Sequence, residues 1–155
     1  MTVPTLASLR LALRQSRAHM LAALAGLPET VLQQPGAVGP WSAAQVMAQR
    51  IEAENRALTL VQSMRHGHPV LYDLSEAELD ARAVLRRRQW SWPHLLAELY
   101  QQREETNLNL DDLEGPALTQ PHRLGERDLS PYDVLIALAE AETQLAAQFR
   151  RWREQ

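Results

Sequence analysis

Gln49, Glu52 and Glu54 fall within two turns of one helical stretch, and Arg103 interrupts the apolar rhythm of another. These are the side chains whose types and spacing bring polar chemistry toward a protein interior. Gln49 falls on the side of its helix that should face inward. A buried amide without a partner costs about 1–3 kcal/mol and is normally paired. Gln49 therefore either reaches a water or the end of its helix packing, or lines a pocket. Glu52, three residues on, shares part of that face. Glu52 and Glu54 read otherwise as solvated helix carboxylates. Arg103 has the reach to pair with Glu52 or Glu54 across a cavity or to bind an anionic ligand; the alternative is a stem laid on apolar surface with its head in water.

Other chemistries are excluded by residue type. The chain has no cysteine, hence no disulfide, thiolate metal site or cysteine nucleophile. All its basic residues are arginine, so a lysine Schiff base or lysine general base is also absent. The five histidines are scattered: His19 on the first helix, His66 and His68 in a Gly/Pro loop, His94 at a helix start, His122 in a loop. Two loop imidazoles without a third ligand make a weak, nonspecific metal site. No P-loop, dinucleotide glycine motif or G-x-S-x-G elbow occurs. The net charge is −3, from 16 basic and 19 acidic residues, which gives no general attraction to phosphate backbones. Arg86-Arg87-Arg88 reads as a solvated charge run, and Trp90 and Trp92 beside it as lids on a core. Neither a signal peptide nor a membrane span is legible, and the lack of cysteine fits a cytoplasmic setting.

The elements that must position these residues are helical. A chain of 155 residues is one domain in size, and a domain of about 150 residues buries roughly 68–70% of its unfolded surface. Leu6, Leu9, Leu13, Met20, Leu24 and Leu27 keep helical spacing, with Ser16 or Arg17 filling the gap, and Gly26 and Pro28 end the run. Ser42 and Gln45 have the spacing of a capping box opening a second helix to about Met64. Ser75 and Glu78 open a short helix in a less regular connection. Ser91 opens a third long helix carrying Leu96, Leu99, Arg103, Thr106, Leu110 and Leu113. Ser130 and Pro131 open the fourth, whose expected inner stripe is Val134, Leu138, Ala141, Leu145, Phe149 and Trp152. The segment between residues 114 and 129 reads as a loop, and no persuasive strand is visible. Four long amphipathic helices predict an all-α four-helix bundle with a longer connection between helices two and three.

The stretch GPWSAAQVMAQRIEAE, through Gly39, Trp41, Ser42, Val46 and Glu54, resembles the second-helix pattern of the DinB/YfiT-like superfamily. LSPYDVLIALAEAETQLAAQFRRW resembles that family's last helix, so the likeness spans nearly the whole chain. The resemblance implies a four-helix bundle, often a dimer. In many members it also implies a divalent metal held by one histidine on helix two and an H-x-x-x-H pair on helix four. Residues four apart share a helix face, so two imidazoles can meet a third on one ion. This chain departs at each ligand: the matching positions are Gln49, Ala141 and Leu145.

The resulting expectation is a single DinB-like domain that has lost the family's three-histidine site. It would be a metal-free binding or interaction module, with a divalent metal only through an unorthodox site. A homodimer and a small-molecule ligand are the expected partners; nucleic acid and membrane are not. The alternative is a thiol-dependent transferase or hydrolase acting on a small molecule through Gln49, Glu52, Glu54 or Arg103.

Overall fold

The computed structural model describes residues 4–67 and 74–155. Its architecture is all-α with one small hairpin. The elements are α1 (Leu6–Ala22), α2 (Glu29–Leu32), α3 (Ala43–His66), α4 (Glu76–Arg86), α5 (Trp92–Leu110), α6 (Pro116–Thr119), β1 (His122–Leu124), β2 (Arg127–Leu129) and α7 (Pro131–Arg153). His68 lies outside the described residues.

Each longer helix opens on a side chain that replaces missing backbone partners. Thr5, Ser42 and Ser130 accept from the backbone N–H three residues on, and Ser8, Gln45 and Asp133 return the bond to the cap, closing three capping boxes. Ser75 and Ser91 cap α4 and α5. At the far end of α3, Gly67 adopts φ 73°, a left-handed conformation that stops the helix and suits glycine.

α1 lies along α7, and α3 packs against α5, α4 and α7. The four long helices enclose two apolar clusters rather than one. The first gathers Met20 and Leu24 of α1, Met47 and Ile51 of α3, Leu95 and Leu99 of α5, and Ala146 and Phe149 of α7, with Trp41, Trp90, Trp92 and Trp152 half-buried around it. Trp90 and Trp92 are thus the lids expected of them. The second gathers Leu9 and Leu13, Val61, Leu110 and Leu113, and Leu135, Leu138 and Ala139. Each fully buried large side chain contributes roughly 1.5–3 kcal/mol.

Two expectations need correction. The expected loop between residues 114 and 129 holds α6 and an antiparallel hairpin that pairs His122 with Leu129 and Leu124 with Arg127. Three-residue strands are too short to show alternation in sequence. The visible signal is Gly125, which takes φ 63° in the two-residue turn. The inner stripe of α7 is also displaced. It buries Leu135, Leu138, Ala139, Glu142, Ala146 and Phe149, while Val134, Ala141, Leu145 and Trp152 are only half-buried at its edge. A glutamate at the centre of the true stripe disguised it. On α5 the shift is smaller: Leu95 is buried where Leu96 was expected.

Candidate functional site

A polar layer separates the two apolar clusters, and each long helix contributes to it between its two sets of apolar residues. α1 supplies Ser16 and Arg17, α3 Glu54, α5 Arg103 and Thr106, and α7 Glu142. The carboxylates are almost wholly sealed, Glu54 at 2% and Glu142 at 1% exposure.

Arg103 forks onto both. Its Nε donates to Glu54 at 2.9 Å, one terminal nitrogen donates to Glu54 at 3.0 Å and to Glu142 at 2.7 Å, and the other reaches the Leu13 carbonyl at 2.8 Å. Arg17 does the same from the opposite helix. It donates to Glu54 at 2.9 Å, to the Leu99 carbonyl at 3.2 Å, and through Nε to Glu142. Ser16 donates to Glu142 at 3.0 Å and Thr106 to Glu54 at 2.8 Å. Planar guanidinium groups make this lattice possible, because each presents several donors in a fixed fork.

Burial alone would raise the Glu54 carboxyl, but the hydrogen bonds and charge of Arg103, with Arg17 and Thr106, hold it below the ordinary glutamate range. Burial likewise opposes the charge of Arg103, and Glu54 and Glu142 overcome that and hold it above the usual arginine value. Arg17, Arg103, Glu54 and Glu142 are thus committed to one another.

Beside the layer, one turn before Glu54 on α3, stands Arg50. Its Nε is buried without a hydrogen-bond partner. Burial pushes it below arginine's ordinary value, against the pull of Glu142 and Glu54. Arg50 lines a cleft of about 510 Å³ between α3, α4 and α7, together with Ala53, Ala57, Leu60, Val134 and Ala141. A second groove, of about 550 Å³, runs between α1 and α5 and is lined by Arg10, Arg14, Arg17, Tyr100 and Arg103.

Of the sequence-derived candidates, the structure joins Arg103 to Glu54 and separates both from Glu52. Glu52 instead accepts from Arg86 at 3.1 Å and Arg87 at 2.7 Å, fastening α3 to the end of α4. Burial raises its carboxyl, but those arginines bring it below the ordinary glutamate range. Two members of the supposed solvated charge run thus hold a half-buried partner, and Glu52 does not reach Arg103. Gln49 is buried and its Nε2 has no hydrogen-bond partner. Ala141 lines the Arg50 cleft, and Leu145 packs on the first apolar cluster. Arg17, Arg50 and Glu142 were missed. Arg17 stood beside the noted gap in the α1 stripe; Glu142 carried no signal except its helical spacing from Leu135, Leu138 and Phe149.

Neither a family sequence model nor a curated protein sequence matches the chain. Solved structures do match in shape. A Streptococcus pneumoniae protein superposes with TM-score 0.85 at 15% identity, over 99% of this chain and 93% of its own. The sibling lethal factor precursor DfsB gives 0.83 at 14% identity, over 99% and 97%. The colibactin self-resistance protein ClbS, in a complex with dsDNA, gives 0.85 at 10% identity, over 99% and 98%. Likeness at these identities shows a shared fold and carries no activity across.

A three-histidine metal centre does not fit the residues present. Ala141 and Leu145 have no donor atoms, Gln49 offers one neutral amide, and the carboxylates of Glu54 and Glu142 are occupied by arginines. Among the described residues, no three His, Asp or Glu side chains form a cluster suited to a metal ion. No helix among them is long and apolar enough to cross a membrane.

Proposed function

We propose that this protein is a DinB-like four-helix bundle in which an arginine–glutamate layer occupies the middle of the bundle, making it a metal-independent module that binds a small organic molecule. The observation carrying this reading is the mutual commitment of Arg17, Glu54, Arg103 and Glu142, in which Glu54 accepts four hydrogen bonds and Glu142 three, so that both carboxylates are already neutralised by arginine rather than open to a cation or a general acid–base role. Binding then falls to the clefts at the helix seams, whose sizes lie within the roughly 300–1,000 Å³ of ordinary ligand sites. The thiol-dependent enzyme is the weaker alternative, because the candidates for its chemistry are engaged in ion pairs or, like Gln49, enclosed beside apolar residues. Nucleic acid is not part of the proposal. The dsDNA in the ClbS complex belongs to that protein, and here two of three consecutive arginines are engaged by Glu52. A homodimer fits the exposed Tyr100 and Leu108 on α5.

The test is metal analysis of untagged protein, with mass in solution from the same sample, followed by thermal melting with added nickel, zinc or manganese. Ligand bound only to the native state stabilises by about 2.7 kcal/mol at a hundredfold excess over Kd. The expected result is no stoichiometric metal and no shift of that size; either one would refute metal independence.

A further inference from the structure

We propose that the cleft between α3, α4 and α7 is a binding site for an apolar carboxylate, with Arg50 as the group that receives the carboxylate.

The charge count of the interior motivates this. In and beside the layer Arg17, Arg50 and Arg103 stand against Glu54 and Glu142, three cations against two anions, with Asp80 of α4, which faces Arg56, also acting on Arg50 through its charge. The hydrogen bonds distribute that imbalance unevenly. Arg17 and Arg103 take both carboxylates and two backbone carbonyls, whereas Arg50 makes no hydrogen bond or ion pair among the described residues. Arg50 is half-buried, and an enclosed donor such as its Nε is costly to leave without an acceptor. Structures retain such a group where something outside the chain completes it.

The surroundings select the chemistry of that partner. Ala53 and Ala57 of α3 and Ala137 and Ala141 of α7 are small and leave room at the seam, while Leu60, Leu79, Val134 and Leu138 make the remainder apolar. Two other charged side chains line the cleft. Arg56 faces Asp80 of α4 at 3.7 Å, and Glu76 sits exposed at the start of α4. The cleft thus offers one cation without a hydrogen bond or ion pair among the described residues, and mostly hydrocarbon along its walls. A monoanion with an alkyl or aryl body satisfies both, and a carboxylate matches the planar fork of a guanidinium. A compact, strongly hydrated anion such as inorganic phosphate would leave the walls unfilled. The α1–α5 groove lacks this combination: Arg10, Arg17 and Arg103 there are paired with Asp111, Glu54 and Glu142, and Arg14 is exposed.

This inference rests on the small-molecule reading above but is independent of the metal result, so the two fail separately. The experiment is calorimetric titration of the full chain with decanoate and, in parallel, decanol, for wild type, Arg50→Gln and Ala141→Leu. Wild type is expected to prefer decanoate by about tenfold or more, the worth of a charged hydrogen bond in a sheltered site. Arg50→Gln should remove the preference while keeping decanol binding, and it should fold, since Arg50 is half-buried and its replacement breaks no hydrogen bond or ion pair among the described residues. Ala141→Leu fills the seam and should weaken both ligands. Equal binding of decanoate and decanol by wild type, no decanoate binding, an undiminished preference in Arg50→Gln, or unchanged affinity in Ala141→Leu would each overturn the site.

Discussion

Glu142→Leu is the substitution that most directly probes the charged layer. Glu142 is sealed and accepts from Ser16, Arg17 and Arg103. Its removal leaves Arg17 and Arg103 sharing Glu54, with Arg50 close enough to feel the same field. Breaking a buried ion pair by deleting one partner costs roughly 3–5 kcal/mol, because the remaining charge is stranded. Here two guanidinium groups lose a carboxylate at once but keep Glu54, which places the expected loss near the middle of that range, about 4 kcal/mol. For a domain of this size each kcal/mol moves the melting temperature by about 2–4 °C, so a fall of roughly 10 °C follows. Against a total stability of about 5–15 kcal/mol, the variant stays mostly folded at room temperature. The informative experiment is a double-mutant cycle by urea denaturation with Arg17→Met. The pair Arg17→Met/Glu142→Leu replaces one buried cation and one buried anion by hydrocarbon, an exchange that is often near neutral. Because a near-neutral double variant recovers the whole loss of Glu142→Leu, a coupling energy of at least about 4 kcal/mol is expected, above the usual range for residues in contact. If Glu142→Leu costs under about 1 kcal/mol, as an exposed ion pair does, or if the two losses simply add, the lattice does not hold the helices together in the way described.

Acid should weaken the fold in a defined direction. The Glu54 carboxyl is held below its ordinary range in the folded chain, so its stabilisation is complete above the unfolded value, about pH 4.3, and is lost as pH falls through the folded value. Glu52 acts in the same sense, while Asp80, raised chiefly by burial, titrates in the opposite one. Urea stability followed from about pH 7 down to pH 3 should decline more steeply for wild type than for Glu54→Gln; parallel curves would remove Glu54 from the acid limb. Gln49→Met keeps the shape of the side chain and deletes an amide whose Nε2 has no partner, so a gain of about 1 kcal/mol or more is expected in the same assay. A loss would mean that the amide is satisfied or used.

The helices were legible because local rules fix them. Serine caps at 42, 75, 91 and 130, a capping glutamine or aspartate three residues on, and Gly67 as a stop depend only on neighbours in sequence. Helix faces were less legible where the interior is polar. Apolar periodicity places Leu9, Leu13 and Met20 inside, but it leaves the gap between them open to Ser16 or Arg17 and gives Glu142 no marking, and an apolar stripe drawn through Ala141 and Leu145 runs beside the true one. Arg103 was suspected because it broke an apolar rhythm. Its partner was then undecided between Glu52 and Glu54, which are two residues apart and therefore project to different sides of one helix. Only the neighbours settle that choice: α5 and Thr106 on the side of Glu54, and the end of α4 on the side of Glu52.

That ambiguity also suggests what the layer contributes. Apolar clusters are non-directional, and two packed leucine-rich ends tolerate a helix sliding by a turn far better than a lattice of forked hydrogen bonds does. A shift of α7 by one turn would put Leu138 or Ala146 within reach of Arg17 and Arg103 and bring the Glu142 charge among hydrocarbon, stranding three ions together. Arg17, Arg103, Glu54 and Glu142 come from four different helices, so one correct arrangement satisfies all of them and a single slipped helix strands at least one charge. Their net gain in stability over hydrocarbon is small by comparison, as the near-neutral double variant would show. The specific role we assign them is register, and the clefts at the seams inherit their shape from it. The Arg17→Met/Glu142→Leu protein should therefore retain stability while its packing becomes less unique, visible as broadened side-chain resonances in NMR spectra. Sharp, wild-type-like spectra from that variant would show that the apolar clusters alone set the register.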